Sequence, residues 1–272
     1  MSIDLHTHTN ASDSNLSRKQ LLDFCALRGI ETVAITDHDT MNSSYPFYGD
    51  PVNVISGCEL SAYDYEIGEK VHILCYLPKN AAHLKPYFDY MREQRLRAGI
   101  EIIEKIRRIY PVVTYERVAG YCGYSDTVFK QHIMNVLIEY GHTRELYGSL
   151  YRQLFNHRDG VCYVRIRYAS VYQVIEMARE ARGVIVLAHP SVYRNMPLVP
   201  VLARYRLIDG IEVEHPRNTY YDRIVLEQVC RDYSLLKTGG SDYHAANGTA
   251  MIGECTTDTM SLDRLYKLSY GK

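Results

Sequence analysis

A chain of 272 residues carries 31 Lys and Arg against 32 Asp and Glu, with 25 Tyr, 5 Phe and no Trp. This near-neutral balance argues against a sequence-independent grip on long duplex nucleic acid, which rests on many phosphate contacts, and leaves room for a local basic pocket for a phosphorylated small molecule. No run of about 18 apolar residues marks a membrane span.

The length allows one large α/β domain or a core carrying an insertion. The chain starts directly on a strand-like segment, without a basic-then-apolar leader. Its seven Cys lack a Cys-x-x-Cys pair, which reads as free thiols in a reducing cytoplasm. The Tyr excess supplies packing area and hydroxyls together and points to no function by itself.

In chain order, Ile3 to His6 reads as a short strand, and Ser17 to Gly29 as a helix with Ser17 as N-cap and Gly29 at its end. Glu31 to Thr36 is a β-rich run that stops at Asp37-His38-Asp39. Val52 to Ile55 leads to Gly57-Cys58-Glu59-Leu60-Ser61, and Val71 to Tyr76 is a further strand. Met91 to Ile109 then reads as a long basic helix, with Arg92, Arg95, Arg97, Lys105, Arg107 and Arg108. Thr114 to Tyr151 is mainly helical by the spacing of Phe129, Ile133, Val136, Leu137 and Tyr140.

Strand signals return at Cys162 to Ile166. A helix follows at about Ser170 to Ala181, then strands at Val184 to Ala188 and Gly210 to Glu214, a helix near Tyr220 to Tyr233, and a last strand at Leu235 to Thr238. Repeated βα units imply a mostly parallel sheet or barrel. Residues 1–80 and 162–272 are expected to form that core, with 81–161 as a helical insertion.

Acid and His residues gather where these strands end. His6 and His8 are two apart, so an extended backbone turns both imidazoles to one side, beside Asp13. His38 lies between Asp37 and Asp39, Glu59 follows the third strand, and His72 lies within the fourth. His189 closes the run Val184 to Ala188, and Asp242 and His244 follow Gly239-Gly240-Ser241. Each residue alone reads as readily as an ordinary polar group. Together they sit where parallel α/β folds collect ligands, at carboxyl ends of strands. Mixed imidazole and carboxylate donors suit manganese, zinc or iron over calcium.

His6-Thr7-His8, Asp37-His38-Asp39, Ala188-His189-Pro190 and Ser241-Asp242-Tyr243-His244 resemble the PHP family, the metal-dependent phosphoesterases named for polymerase and histidinol phosphatase. The likeness runs almost end to end. Gln131-His132-Ile133, Gly210 to Pro216 and Gly239 to His244 are similar to the branch of nucleoside 3′,5′-bisphosphate phosphatases and RNA 5′-end exonucleases. The resemblance implies a distorted (β/α)7 barrel holding two or three divalent ions, manganese first and zinc or iron as alternatives. His6, His8, Glu59 and Asp242 would hold one ion, Glu59, His72 and His189 a second, and Asp13, His38 and His244 a third.

Asp37 and Asp39 would orient imidazoles or accept protons, with a metal-bound hydroxide as nucleophile. Arg92, Arg95 and His132 from the insertion would contact substrate phosphate. Arg165 and Arg167 are weaker candidates, while His83, His142 and His157 read as surface residues. Ser14 and Asn218 depart from the branch pattern, and the second departure bears on substrate choice. The expected activity is hydrolysis of small phosphomonoesters, nucleoside 3′,5′-bisphosphates foremost, with 5′-to-3′ cleavage of short RNA as the alternative. Histidinol phosphate hydrolysis and a non-catalytic binding module rank below both.

Overall fold

The computed structural model describes residues 2–272. Seven strands form one sheet in sequence order: β1 (Ile3–Thr7), β2 (Thr32–Ile35), β3 (Asn53–Asp64), β4 (Glu69–Tyr76), β5 (Val184–Leu187), β6 (Gly210–Glu214) and β7 (Leu236–Gly239). Neighbours run parallel except at β4, which is antiparallel to both β3 and β5. That reversal follows from a tight β3–β4 turn, in which Asp64 Oδ1 accepts from the amides of Glu66 and Ile67 and Gly68 takes φ 74°. The expected third strand ended before Glu59. The observed β3 continues through Gly57 for 12 residues and carries Glu59 in its interior.

The sheet edges meet at the end where the ligand residues lie. His8 N donates to Tyr243 O at 3.0 Å. At Gly240 an added Cβ would fall 2.3 Å from His6 Cβ, so only glycine lets the two edges approach this closely. The result is the nearly closed seven-stranded barrel expected from the sequence. Its interior is filled by Ile3, Leu5, Ile55, Leu74, Val186 and Leu236. Helix α9 (Thr259–Tyr270), which the sequence reading missed, adds Leu262 and Leu265 to this cluster and is capped by Asp258.

Helix α1 (Arg18–Leu27) begins with a capping box at Ser17 and Gln20 and lays Leu21, Leu22 and Cys25 on Val33, Ile35 and Val54. The outer face of β3 to β6 is covered by α6 (Val171–Glu180), α7 (Val199–Arg204) and α8 (Tyr220–Asp232), around Leu60, Ile73, Ile185 and Ile211. Between β4 and β5 stand α2 (Lys85–Ile106), α3 (Tyr115–Tyr121), α4 (Lys130–Glu139) and α5 (Ser149–Phe155).

Helix α2 starts six residues before the expected Met91, because Pro86 fits a first helical turn. Its stripe Tyr87, Met91, Arg95, Ala98, Gly99, Ile102 and Ile106 is buried. Tyr87 and Met91 join the barrel's outer core, whereas Ile102, Ile103 and Ile106 join a separate core with Val118, Ile133, Leu137 and Leu154. The stretch Thr114 to Tyr151, expected to be mainly helical, holds α3, α4 and the start of α5, with left-handed glycines at 123 and 141 between them. The expected strand from Cys162 forms no ladder. Side chains hold carbonyls in and just after this run: Lys105 donates to Tyr163 O, Tyr90 to Arg167 O and Tyr65 to Tyr168 O. Among the described residues no helix is long and apolar enough to cross a membrane.

Candidate metal centre

The barrel's polar end is organised around one carboxylate. Backbone pairing of His38 with Glu59 brings the loop after β2 against β3, and the antiparallel register sets His72 opposite Ser61, two residues along from Glu59. Glu59 Oε2 then lies 3.4 Å from His6 Nε2, 3.4 Å from His8 Nε2 and 3.0 Å from His38 Nδ1. Its Oε1 lies 2.7 Å from His72 Nδ1 and 2.8 Å from His189 Nε2. Asp242 Oδ1 faces His6 Nε2 at 3.4 Å and His8 Nε2 at 3.2 Å. Asp13 Oδ1 lies 3.1 Å from His244 Nε2, and its Oδ2 3.8 Å from His38 Nε2.

Electrostatics follow from that crowding. Burial works to raise the Glu59 carboxyl, but His72, His38 and His6 hold it well below its usual range. Asp242 is likewise held down against burial by His6 and His244. His244 is pushed the other way: burial lowers it, and Asp13 with Asp242 raises it to about 10. For His72 burial prevails and the imidazole drops to about 4. Three residues here adopt left-handed backbone without being glycine, Asp39, His189 and Asp242, at φ 53°, 26° and 52°. Such strain persists where surrounding structure over-determines a functional geometry.

Whether these residues fit metal ions is answered by the atoms they leave over. His6 Nε2, His8 Nε2, His38 Nδ1, Asp13 Oδ1, Glu59 Oε2, His189 Nδ1 and His215 Nε2 are buried without a hydrogen-bond partner. Buried polar atoms are rarely orphaned singly, and the five on His6, His8, Asp13, His38 and Glu59 belong to residues whose donor atoms converge, which fits cations. Three overlapping groups have donor atoms mutually within 4.8 Å: His6, His8, Glu59 and Asp242; His8, Asp13, His38 and His244; and His38, Glu59 and His72. The first has the membership expected from the sequence. The second adds His8 to the expected trio, and the third holds His38 where His189 was expected. His189 still touches Glu59, through Nε2.

The other expected site residues fall differently. Asp37 touches no imidazole: Oδ1 accepts from Thr9 N and Ser12 Oγ, and Oδ2 from Thr9 Oγ1. It shapes the loop between His8 and Asp13, because Thr and Ser there offer closer donors. Asp39 also stands behind the cluster, accepting from Ser61 N at 2.8 Å and from Arg95 Nη2 at 2.7 Å. Arg95 falls on the apolar stripe of α2, so it is buried, paired to Asp39 and stacked on Phe129 at 4.7 Å. Arg92 lies off that stripe, half-exposed beside Asp126 at 3.7 Å, in a groove apart from the cluster.

His132 is fully buried, accepts from Phe129 N through Nδ1, and is pushed down to about 4 by burial, so at neutral pH it is an uncharged cap of α4. Its neighbour Gln131 reaches the site instead, donating to Asp13 Oδ2 at 2.7 Å. The departure at Asn218 is structural: its Nδ2 clasps the carbonyls of Glu212 and Val213.

Sequence reasoning missed Glu212, and touched His215 only as part of the Gly210 to Pro216 stretch. Glu212 Oε1 is 2.9 Å from His6 Nδ1 and its Oε2 accepts from His189 N at 2.8 Å, fixing two rings at once. A carboxylate between Ile211 and Val213 in a buried strand was the available signal. His215 Nε2 lies 3.5 Å from Asp242 Oδ2. Asp4 buckles β1 to the loop bearing Asp242, accepting from Ser241 N, Ser241 Oγ and Gly253 N.

This cluster, on this barrel, defines a metal-site protein of the PHP class. Residues 4–103 match the PHP domain. The chain is 34% identical over 250 residues to a phosphoribosyl 1,2-cyclic phosphate 1,2-diphosphodiesterase of Eggerthella lenta, covering 90% of this chain and 95% of that one. It is 27% identical over 254 residues to the 5′-3′ exoribonuclease Rnm of Salmonella typhimurium, at 89% and 84% coverage. A crystal structure from Bifidobacterium adolescentis, described as that of a candidate metal-dependent phosphoesterase, superposes with a TM-score of 0.86 at 24% identity, over 98% of this chain and 96% of that one. The chain belongs to the PHP family.

Proposed function

We propose that this protein hydrolyses a phosphoester carried on a ribose, using divalent ions held by the Glu59-centred cluster. The observation that carries the reading is a single buried carboxylate in contact with five imidazoles, in a cluster where His6 Nε2, His8 Nε2, His38 Nδ1, Asp13 Oδ1 and Glu59 Oε2 itself are buried without a hydrogen-bond partner. His6, His8, Glu59 and Asp242 would hold one ion; Glu59, His72 and His189, with His38 alongside, a second; Asp13, His38 and His244, with His8 alongside, a third. Manganese remains the first candidate, zinc or iron the alternatives. When bound, the ions supply Lewis acidity toward phosphate oxygens and lower the pKa of water.

The chain's own residues do the rest. Glu212 holds His6 and the backbone of His189, Asp37 holds the loop of Asp13, and Gln131 holds Asp13 itself. Residues 81–161 cap the site: Arg95, Phe129 and Gln131 line one cavity with His38 and His72.

A small ribose phosphate is the preferred substrate, with nucleoside 3′,5′-bisphosphates or a cyclic ribose phosphate as first candidates. The relative with 34% identity is named for a phosphoribosyl cyclic phosphate, and this chain's charge is near neutral. A second reading is 5′-to-3′ cleavage of short RNA. It is favoured by a cavity of about 900 Å³ beside the site, walled by Tyr63, Tyr65, Tyr151, Tyr168 and Arg167, since bases stack on such side chains.

The test is a Mn²⁺ assay on adenosine 3′,5′-bisphosphate, a ribose 1,2-cyclic phosphate, a 5′-phosphorylated RNA trinucleotide and histidinol phosphate. The reading expects chelator-sensitive turnover of a ribose substrate and little of histidinol phosphate. Preference for histidinol phosphate, or no hydrolysis of any of the four, overturns it.

A further inference from the structure

Two lysines beside the cluster lack any countercharge. Strand β4 alternates faces, so Lys70 projects on the same side as His72, one step further along the strand. Lys70 Nζ sits 5.5 Å from the ring centre of Tyr168 and 6.0 Å from that of Tyr193. Tyr193 in turn stands edge-on to His72, at 5.0 Å. Lys130, at the start of α4, brings its Nζ within 5.4 Å of the Phe155 and Tyr163 rings. Among the described residues neither ammonium makes an ion pair or hydrogen bond, whereas Arg95, the nearby guanidinium, is tied to Asp39.

Both lysines line two spaces at once. One is the inner cavity shared with Asp13, His38 and His72, and the other is the outer cavity of about 900 Å³. They therefore stand at the neck between the two, with Tyr151, Tyr163, Tyr168 and Tyr193. The one carboxylate on the outer wall, Glu69, points to Arg194 at 3.9 Å. Aromatic faces hold an ammonium without neutralising it, and an unpaired, largely buried cation is costly. Two of them, one from the barrel and one from the helical segment, make a socket for an anion with more than one charge.

We propose that Lys70 and Lys130 form a subsite for a second phosphate on the substrate, with the tyrosine neck holding the ribose between that phosphate and the Glu59 cluster. The proposal rests on the hydrolase reading above. It accounts for part of the Tyr excess and selects ribose bisphosphates over simple monoesters.

The experiment uses Mn²⁺-supplemented full-length protein and the variants Lys70→Met, Lys130→Met, Lys70→Arg and Lys130→Arg, with Lys→Gln forms should a Met variant fold poorly. Turnover is compared on adenosine 3′,5′-bisphosphate and adenosine 3′-monophosphate, and affinity for adenosine 5′-monophosphate and adenosine is measured by calorimetry. A charge-assisted contact of about 1.5–3 kcal/mol corresponds to tenfold or more. Each Met variant should therefore lower the bisphosphate-to-monophosphate ratio of kcat/KM at least about tenfold and weaken adenosine 5′-monophosphate about tenfold relative to adenosine, with the Arg variants keeping most of both.

An unchanged ratio with unchanged nucleotide affinity overturns the subsite while leaving hydrolysis standing. Absent turnover on both substrates, with nucleotide affinity still lost in the Met variants, overturns the hydrolase reading and upholds the subsite. Equal weakening of adenosine and adenosine 5′-monophosphate also overturns it, because the lysines would then be shaping the neck and not reading phosphate.

Discussion

The strand ends of the barrel and the helical segment after β4 meet at one cavity but are built on opposite principles. At the strand ends, acids and imidazoles are crowded until their hydrogen-bonding atoms outnumber protein partners. Facing them, the cations either satisfy themselves within the protein, as Arg95 does on Asp39, or stand over aromatic rings with no countercharge, as Lys130 does. One side is prepared for cations and the other for anions. A phosphoester with its metal ions is the kind of ligand that satisfies both.

The sharpest way to break the first half of that contrast is at Glu59. Glu59→Gln keeps the shape and removes the charge that five imidazoles share. Turnover should fall by roughly three orders of magnitude or more, as expected when a group acts with others as a unit. A variant within tenfold of wild type would show that the carboxylate is dispensable.

Arg95 and Arg92 sharpen the second half, since they are three residues apart on one helix and differ in burial. Arg95→Met leaves Asp39 buried and unpaired, an effect of about 3–5 kcal/mol. A lowered melting temperature and reduced kcat/KM are both expected. Arg92→Ala should stay within about 0.5 kcal/mol and twofold, as exposed pairs do. Similar losses from the two would return them to a shared phosphate-binding role.

A further effect concerns pH. Burial, then Lys70 and Arg95, push Lys130 from 10.5 down to about 7. The folded pKa is below the unfolded one, so between pH 7 and 10 the unfolded chain binds more protons and stability rises with pH. The slope from this group is at most about 1.4 kcal/mol per pH unit. In phosphate-free buffer, the melting temperature of wild type should therefore gain a few degrees on Lys130→Met between pH 7 and pH 9. A constant gap across that window would show that the ammonium is not buried as described.

The same contrast governs how much could be read from the sequence. The cluster was legible because its members come in short contiguous groups, such as His6-Thr7-His8 and Asp37-His38-Asp39, at ends of apolar runs. The barrel followed from those runs. Glu212 was hard to read because its one local sign is a carboxylate between two apolar strand residues, and its partners His6 and His189 are joined to it only by sheet closure.

Arg92 and Arg95 looked alike because charge was weighed without the apolar stripe that decides which one is buried. Asp37 and Asp39 looked like partners of the imidazoles by adjacency, yet adjacent residues in a loop turn to different neighbours. Lys70 and Lys130 stood 60 positions apart with no motif, so only folding could bring them to one neck.

The central claim, that the Glu59-centred cluster works by holding divalent ions, is tested most directly by counting ions and turnover together. The chelated protein is titrated with Mn²⁺ while bound metal and phosphoester hydrolysis are measured on the same samples. The account predicts near-background activity without metal, recovery in step with about two or three ions per chain, and neither tight binding nor recovery in Glu59→Gln. Full hydrolysis by protein carrying no stoichiometric metal would contradict it.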